Sequence, residues 1–218
     1  MTSERIPVPH QILDGSVIAI GRGLDRGSVV RIGEGLAAGG IRAFEITFGR
    51  ADAVEAIAAL DARFGGGEEL LVGAGTILSV DDAQRALDAG AKFLVMPITD
   101  PDLVAWAAER GVPAIPGAMT PTEVLAGWAA GAAAIKLFPA SVTGPKFIRE
   151  LHGPFPYIPV VPTGGVTVDT APALITAGAV AVGLGSWLTG DGDPAGIAGR
   201  GRRIVAVIRA VRETGRGE

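Results

Sequence analysis

The chain has 218 residues, a formal net charge of -4, 48% hydrophobic and 19% charged residues, a length and balance that suit one α/β domain over 1–218 with a large buried core. It has no cysteine, which excludes disulfides, thiolate metal sites and cysteine nucleophiles, and its negative balance argues against nucleic acid as a partner. No apolar run approaches the roughly 18 residues of a spanning helix, and the stretch from Met1 to Pro9 has neither a signal core nor transit-peptide character, so the cytoplasm, with no membrane partner, is the expected setting.

From residue 16 onward, short β-branched or apolar runs alternate with Ala/Leu/Glu/Arg segments of helical period, with Gly or Pro at the joins. That rhythm predicts parallel strands joined by helices. A segment holding Pro7 and Pro9 comes first and is expected as a short N-terminal helix or arm across the bottom of the sheet. Strands are predicted over 16–20, 42–47, 70–76, 93–97, 114–116, 134–139, 160–163 and 179–185, and helices over 28–38, 52–63, 81–89, 101–110, 122–130, 145–151, 168–177 and 195–212. Eight strands, each followed by a helix, predict a parallel (β/α)8 TIM barrel. Ser79 and Thr120 stand just before helices whose first turns carry acids. Ala-Gly pairs at 38–39, 89–90, 130–131 and 177–178 close four helices, where glycine accepts the left-handed conformation. The arginines of 200–216 alternate with Ile204, Val205, Ile208 and Val211 and read as the wet face of the last helix.

Reactive side chains of such a barrel belong at the carboxyl ends of its strands. Arg22 follows the first strand and Arg50 the second; each is an anion ligand or an ordinary surface charge. The second strand carries Glu45 on the face of Ala43 and Thr47, with Phe44, Ile46 and Phe48 on the other. An interior carboxylate is costly unless paired or working, so Glu45 either shuttles protons or closes a buried ion pair with a lysine. The third strand ends in Gly73-Ala-Gly-Thr76, whose missing side chains let a ligand approach the backbone or allow a tight turn.

The sixth strand places one lysine, Lys136, inside an apolar run, whereas Lys92 and Lys146 fall where solvent is available. Period-two alternation sets Lys136 on the face of Ala134 and Phe138, with Ile135 and Leu137 toward the helices. A desolvated ammonium is disfavoured and gives way to the free amine that attacks a ketone; the alternative is a lysine whose stem crosses apolar surface to water. Thr163-Gly164-Gly165 follows the seventh strand and Gly183-Leu-Gly185-Ser186 the eighth, the two loops where barrels often hold phosphate. No dinucleotide fingerprint follows the first strand, and His10 and His152 share no ligand spacing, so neither a nicotinamide cofactor nor a metal is expected.

Seven motifs occur in order over 16–212: Glu45-Ile-Thr47, Gly73-Ala-Gly-Thr76, Pro116-Gly117 with Met119-Thr-Pro-Thr-Glu123, Ile135-Lys-Leu-Phe-Pro139, Gly153-Pro-Phe-Pro156, Pro162-Thr-Gly-Gly165 and Gly183-Leu-Gly-Ser186. With them the chain resembles the family of 2-keto-3-deoxy-6-phosphogluconate aldolases and the related 4-hydroxy-2-oxoglutarate aldolases. The resemblance implies a barrel of the class I aldolase type that needs no cofactor and forms a homotrimer. It implies that Lys136 forms an imine with the C2 ketone of a phosphorylated keto acid and that Glu45 moves protons, releasing pyruvate and glyceraldehyde 3-phosphate. Thr76, Thr163, Phe138 and Pro97 then match positions around the keto-acid end, and Gly164, Gly165, Gly185 and Ser186 match the phosphate loops.

Two departures bear on the substrate. Gly49 stands where many relatives carry an arginine and Arg50 follows it, and Gly21 intervenes before Arg22. Contacts of this kind decide C4 stereochemistry, so a phosphogalactonate-type acid and 4-hydroxy-2-oxoglutarate stay open as substrates. A phosphosugar isomerase or epimerase barrel, or a noncatalytic phosphometabolite-binding trimer, would share the late glycine loops without needing an amine in the sixth strand.

Overall fold

The computed structural model describes residues 5–24, 26–49, 52–190 and 192–214. Among them the chain alternates strand and helix almost throughout. It runs α1 (His10–Gly15), β1 (Val17–Gly21), α2 (Arg26–Ala38), β2 (Ala43–Thr47), α3 (Ala53–Phe64), β3 (Leu71–Gly75), α4 (Val80–Asp88), β4 (Leu94–Val95) and α5 (Pro101–Glu109). It continues through β5 (Ala114–Ile115), β6 (Gly117–Ala118), α6 (Pro121–Ala129), β7 (Ile135–Leu137), α7 (Ala140–Leu151), β8 (Val160–Pro162), α8 (Ala171–Thr176), β9 (Val182–Leu184), α9 (Ser186–Thr189) and α10 (Pro194–Thr214). All strand pairs are parallel: one sheet has the order β5-β4-β3-β2-β1-β9, and a second has the order β6-β7-β8. An isolated parallel bridge pairs Thr163 with Gly183, and Val180 N donates to Val160 O at 3.1 Å, joining β8 to the β9 side.

The predicted fifth strand, 114–116, is divided in the structure. Pro116 has no N–H to offer a ladder, so β5 ends before it and β6 begins after it, although its carbonyl still accepts from Lys136 N at 2.8 Å. The predicted helix over 145–151 is present, and a short helical segment from Ala140 precedes it within α7, the two separated by a kink where Gly144 sits at the non-helical φ 64 and ψ -178 before Pro145. The four residues of α9 were missed because one turn carries no periodic signal. The caps agree with expectation: Ser79 Oγ accepts from Asp82 N, and Thr120 and Glu123 close a reciprocal capping box. Gly90, Gly131 and Gly178 take positive φ after their helices, but at the first Ala-Gly pair it is Gly40 that does so. Gly39 serves close packing instead, since a Cβ there would lie 3.0 Å from Gly201 Cα of α10.

Side chains alternate between two cores. Phe44, Ile46, Ile135 and Leu137 face the helices within the larger one. Ile18, Ala43, Leu71, Phe93, Ala134 and Val161 form a smaller interior core with Ile12 of α1 packed among them, which gives the N-terminal segment its role as a plug. Ile204 and Ile208 of α10 are buried. Its arginines are more than a wet face: Arg200 Nε donates to Leu188 O at 2.8 Å, and Arg212 donates to Leu13 O and Val180 O. No helix among the described residues is long and apolar enough to cross a membrane.

Candidate active site

Strand alternation carries Lys136 and Glu45 onto the interior face, two residues beyond Ala134 and Ala43. Both are buried, Lys136 at 7% exposure and Glu45 at 3%. The Lys136 Nζ lies 5.1 Å from the centre of the Phe138 ring, a distance at which the ring face attracts a cation. Burial pushes the Glu45 carboxyl above its ordinary range, while the charges of Lys136 and Arg22 pull it back down. Desolvation wins, because a carboxylate cut off from water loses more than two neighbouring cations return. An amine and a proton-holding carboxyl in one dry space can perform nucleophilic attack on a carbonyl with proton transfer.

The glycines around them make room for side chains. A Cβ on Gly75 would lie 2.6 Å from Glu45 Oε1, one on Gly73 would strike the Phe93 ring, and one on Gly183 would strike Thr163. The space expected to admit a ligand at Gly73 and Gly75 is therefore filled, by Phe93 and by the Glu45 carboxyl. Thr163 is 3% exposed, and its Oγ1 donates to Val161 O at 3.3 Å. Thr76, just beyond β3, sits at φ 60, an unusual setting for a β-branched residue and one often associated with functional loops. Pro97 follows β4, and its carbonyl lies so close to Gly117 that a Cβ there would strike it.

Beyond β8, Gly164 and Gly165 take φ 92 and 77 and lie against Phe138 and Ser141. Ser141 N donates to Gly164 O at 3.0 Å, so the start of α7 is tied to this loop. Gly185 caps α9 and has open space beside it, and Ser186 is exposed. Arg22 and Ser186 line one cavity of about 380 Å³ together with Ser28 and Thr189. Ser28 and Thr189 were not anticipated, since nothing local distinguishes their hydroxyls from other helical ones. Arg50 lies outside the described residues. His152 Nε2 sits 3.2 Å from Ile158 O and its ring fills the space beside Gly178. Among the described residues no group of three His, Asp or Glu side chains is arranged to hold a metal ion.

A family model described as KDPG and KHG aldolase matches residues 9–194. A 2-dehydro-3-deoxy-phosphogluconate aldolase of Treponema pallidum is 38% identical over 151 residues, covering 69% of this chain and 70% of the relative. A probable 2-dehydro-3-deoxy-6-phosphogalactonate aldolase of Rhizobium meliloti is 34% identical over 194 residues, covering 88% of this chain and 90% of the relative. A solved KDPG aldolase of Legionella pneumophila, with pyruvate captured as a covalent carbinolamine, superposes with a TM-score of 0.76 at 26% identity over 94% of this chain and 98% of that one.

Proposed function

Because the chain belongs to the KDPG and KHG aldolase family, and so to the lyases that make and break carbon–carbon bonds beside a carbonyl, we propose that it cleaves 2-keto-3-deoxy-6-phosphogluconate reversibly into pyruvate and glyceraldehyde 3-phosphate through an imine on Lys136. The observation that carries this reading is one buried lysine sharing an interior face with one buried carboxyl whose proton affinity is raised. The Lys136 amine adds to the C2 ketone and the carbinolamine loses water, leaving an iminium that can accept an electron pair. Glu45 takes the proton of the C4 hydroxyl as the C3–C4 bond breaks and the aldehyde departs. The enamine left on Lys136 is then protonated at C3, and water releases pyruvate. The pyruvate carbinolamine of the Legionella pneumophila protein supports the same order of events here.

Thr76, Thr163, Phe138 and Pro97 surround the keto-acid end in this reading. Gly164, Gly165, Gly185 and Ser186 hold the phosphate, with Arg22 and Arg50 adding positive charge. The cavity shared by Arg22 and Ser186 supports an anion at that place. The two sheets form one domain over 1–218, a closed (β/α)8 barrel whose fifth strand is split at Pro116; the hydrogen bonds joining β8 to the β9 side support closure. The working unit is a cytoplasmic homotrimer in the Entner–Doudoroff breakdown of sugar acids. Leu78, Ile98 and Met119 are exposed apolar residues after three successive strand ends, which supports a covered face.

Borohydride reduction in the presence of pyruvate tests the imine: a stable adduct mapping to the Lys136 peptide is expected, and its absence overturns the reading. A second substrate, the phosphogalactonate-type acid, is favoured by the Rhizobium meliloti relative. Pyruvate release measured over both phosphorylated acids, their unphosphorylated forms and 4-hydroxy-2-oxoglutarate ranks them.

A further inference from the structure

We propose that Gly75 is a positioning residue for this reaction: the absent side chain is what lets the Glu45 carboxyl lie forward along β2 toward the carboxyl ends of the strands. The inference rests on the proposed role of Glu45. Glu45 is paired in register with Gly73, and Thr47 with Gly75, so the carboxyl reaches one strand-repeat ahead of its own backbone. It occupies the volume that a methyl on Gly75 would need, with Oε1 at 2.6 Å, Cδ at 2.8 Å and Oε2 at 3.2 Å from that Cβ.

Neither strand can easily move aside. Gly75 O accepts from Phe48 N at 2.7 Å, Ala74 N donates to Phe93 O at 3.0 Å, and Ile77 N donates to Val95 O at 3.2 Å, so β3 is held from both edges. Gly75 also lacks the positive φ that would demand glycine for backbone reasons. Its need for glycine therefore comes from the neighbouring carboxyl. Gly73, two residues earlier on the same face, meets only the Phe93 ring among its nearest atoms; the two glycines of one motif serve different ends.

The test is a double-mutant cycle of Gly75→Ala with Glu45→Asp, whose side chain is one methylene shorter and withdraws from the added methyl. With Glu45 in place, Gly75→Ala is expected to lower kcat by about 10- to 100-fold with KM little changed, and to displace the limb of the pH–rate profile that reports the carboxyl. In the Glu45→Asp background the same substitution is expected to change kcat by less than about threefold. Equal losses on both backgrounds, or an unmoved pH profile, overturn the proposal. The cycle is also read in melting temperature, where Gly75→Ala must cost more beside glutamate than beside aspartate. That second reading decides the contact even if Gly75→Ala folds poorly, and even if borohydride leaves no pyruvate on Lys136 and the proposed reaction itself fails.

Discussion

The interior of this protein has two levels built from the same strands two residues apart, and they are opposites. The lower level holds Ile18, Ala43, Leu71, Ala134 and Val161, filled by Phe93 and closed by Ile12. Two residues further along β2, β3 and β7, at the upper level, stand Glu45, Gly73 and Lys136. Two ionisable side chains and a glycine stand next to a packed apolar floor. Parallel ladders keep the backbone alike at both levels, so the change from stability to chemistry is made by side chains alone. The floor and the outer helix core supply the stability against which the upper level's buried charges are tolerated.

The largest effect that could break this contrast is expected from Lys136→Met. Turnover in a pyruvate-release assay should fall by about 10⁴-fold or more, while the melting temperature holds or rises, because an apolar chain replaces a buried amine. Retained turnover would move the chemistry elsewhere. Glu45→Gln should lower kcat by about 10²- to 10⁴-fold and sharpen the contrast in stability. Burial raises the carboxyl in the folded protein above the 4.5 of the free group, so the folded state holds this proton more tightly than the unfolded chain. The wild type therefore loses stability as pH rises from about 4.5 through the folded value, and the glutamine variant does not share that loss. The melting-temperature gain of the variant should be near zero at the acid end of this window and grow toward alkaline pH; a gain that ignores pH would contradict the burial argument.

Ile12→Ala addresses the floor. It should cost about 2–5 kcal/mol in urea unfolding and leave kcat of the folded enzyme in place, since Ile12 packs below the charged level. A large loss of kcat would show the two levels to be mechanically coupled. The smallest expected effect on the Glu45 carboxyl is that of Arg22→Gln. Arg22 pulls the Glu45 carboxyl downward, so removing its charge should shift the carboxyl limb of the pH–rate profile slightly upward, and an unmoved or lowered limb would deny the electrostatic contact.

Much of this contrast could be read before folding. The alternation around Lys136 and around Glu45 assigned both residues to one face and their neighbours to the other, and the helix cores and interior core follow that division. Ser79 and Thr120 announced their helices because a cap needs only a hydroxyl and the next few residues. Pro116 and Gly144 were harder. Each interrupts an element at a single point, and whether a proline splits a strand or a glycine separates two helical segments depends on the ladder and loop beside it.

The sequence alone determined the parallel alternation, the apolar floor and the identity of the two charged interior residues, because these rest on periodicity and on the cost of burying charge. Tertiary structure decided what each glycine is for: Gly73 and Gly75 look alike in the chain, yet one yields to Phe93 and the other to Glu45. It also brought Arg22 and Ser186 to one cavity. Such pairings join residues from separate strands, and their geometry exists only once the register between strands has been set.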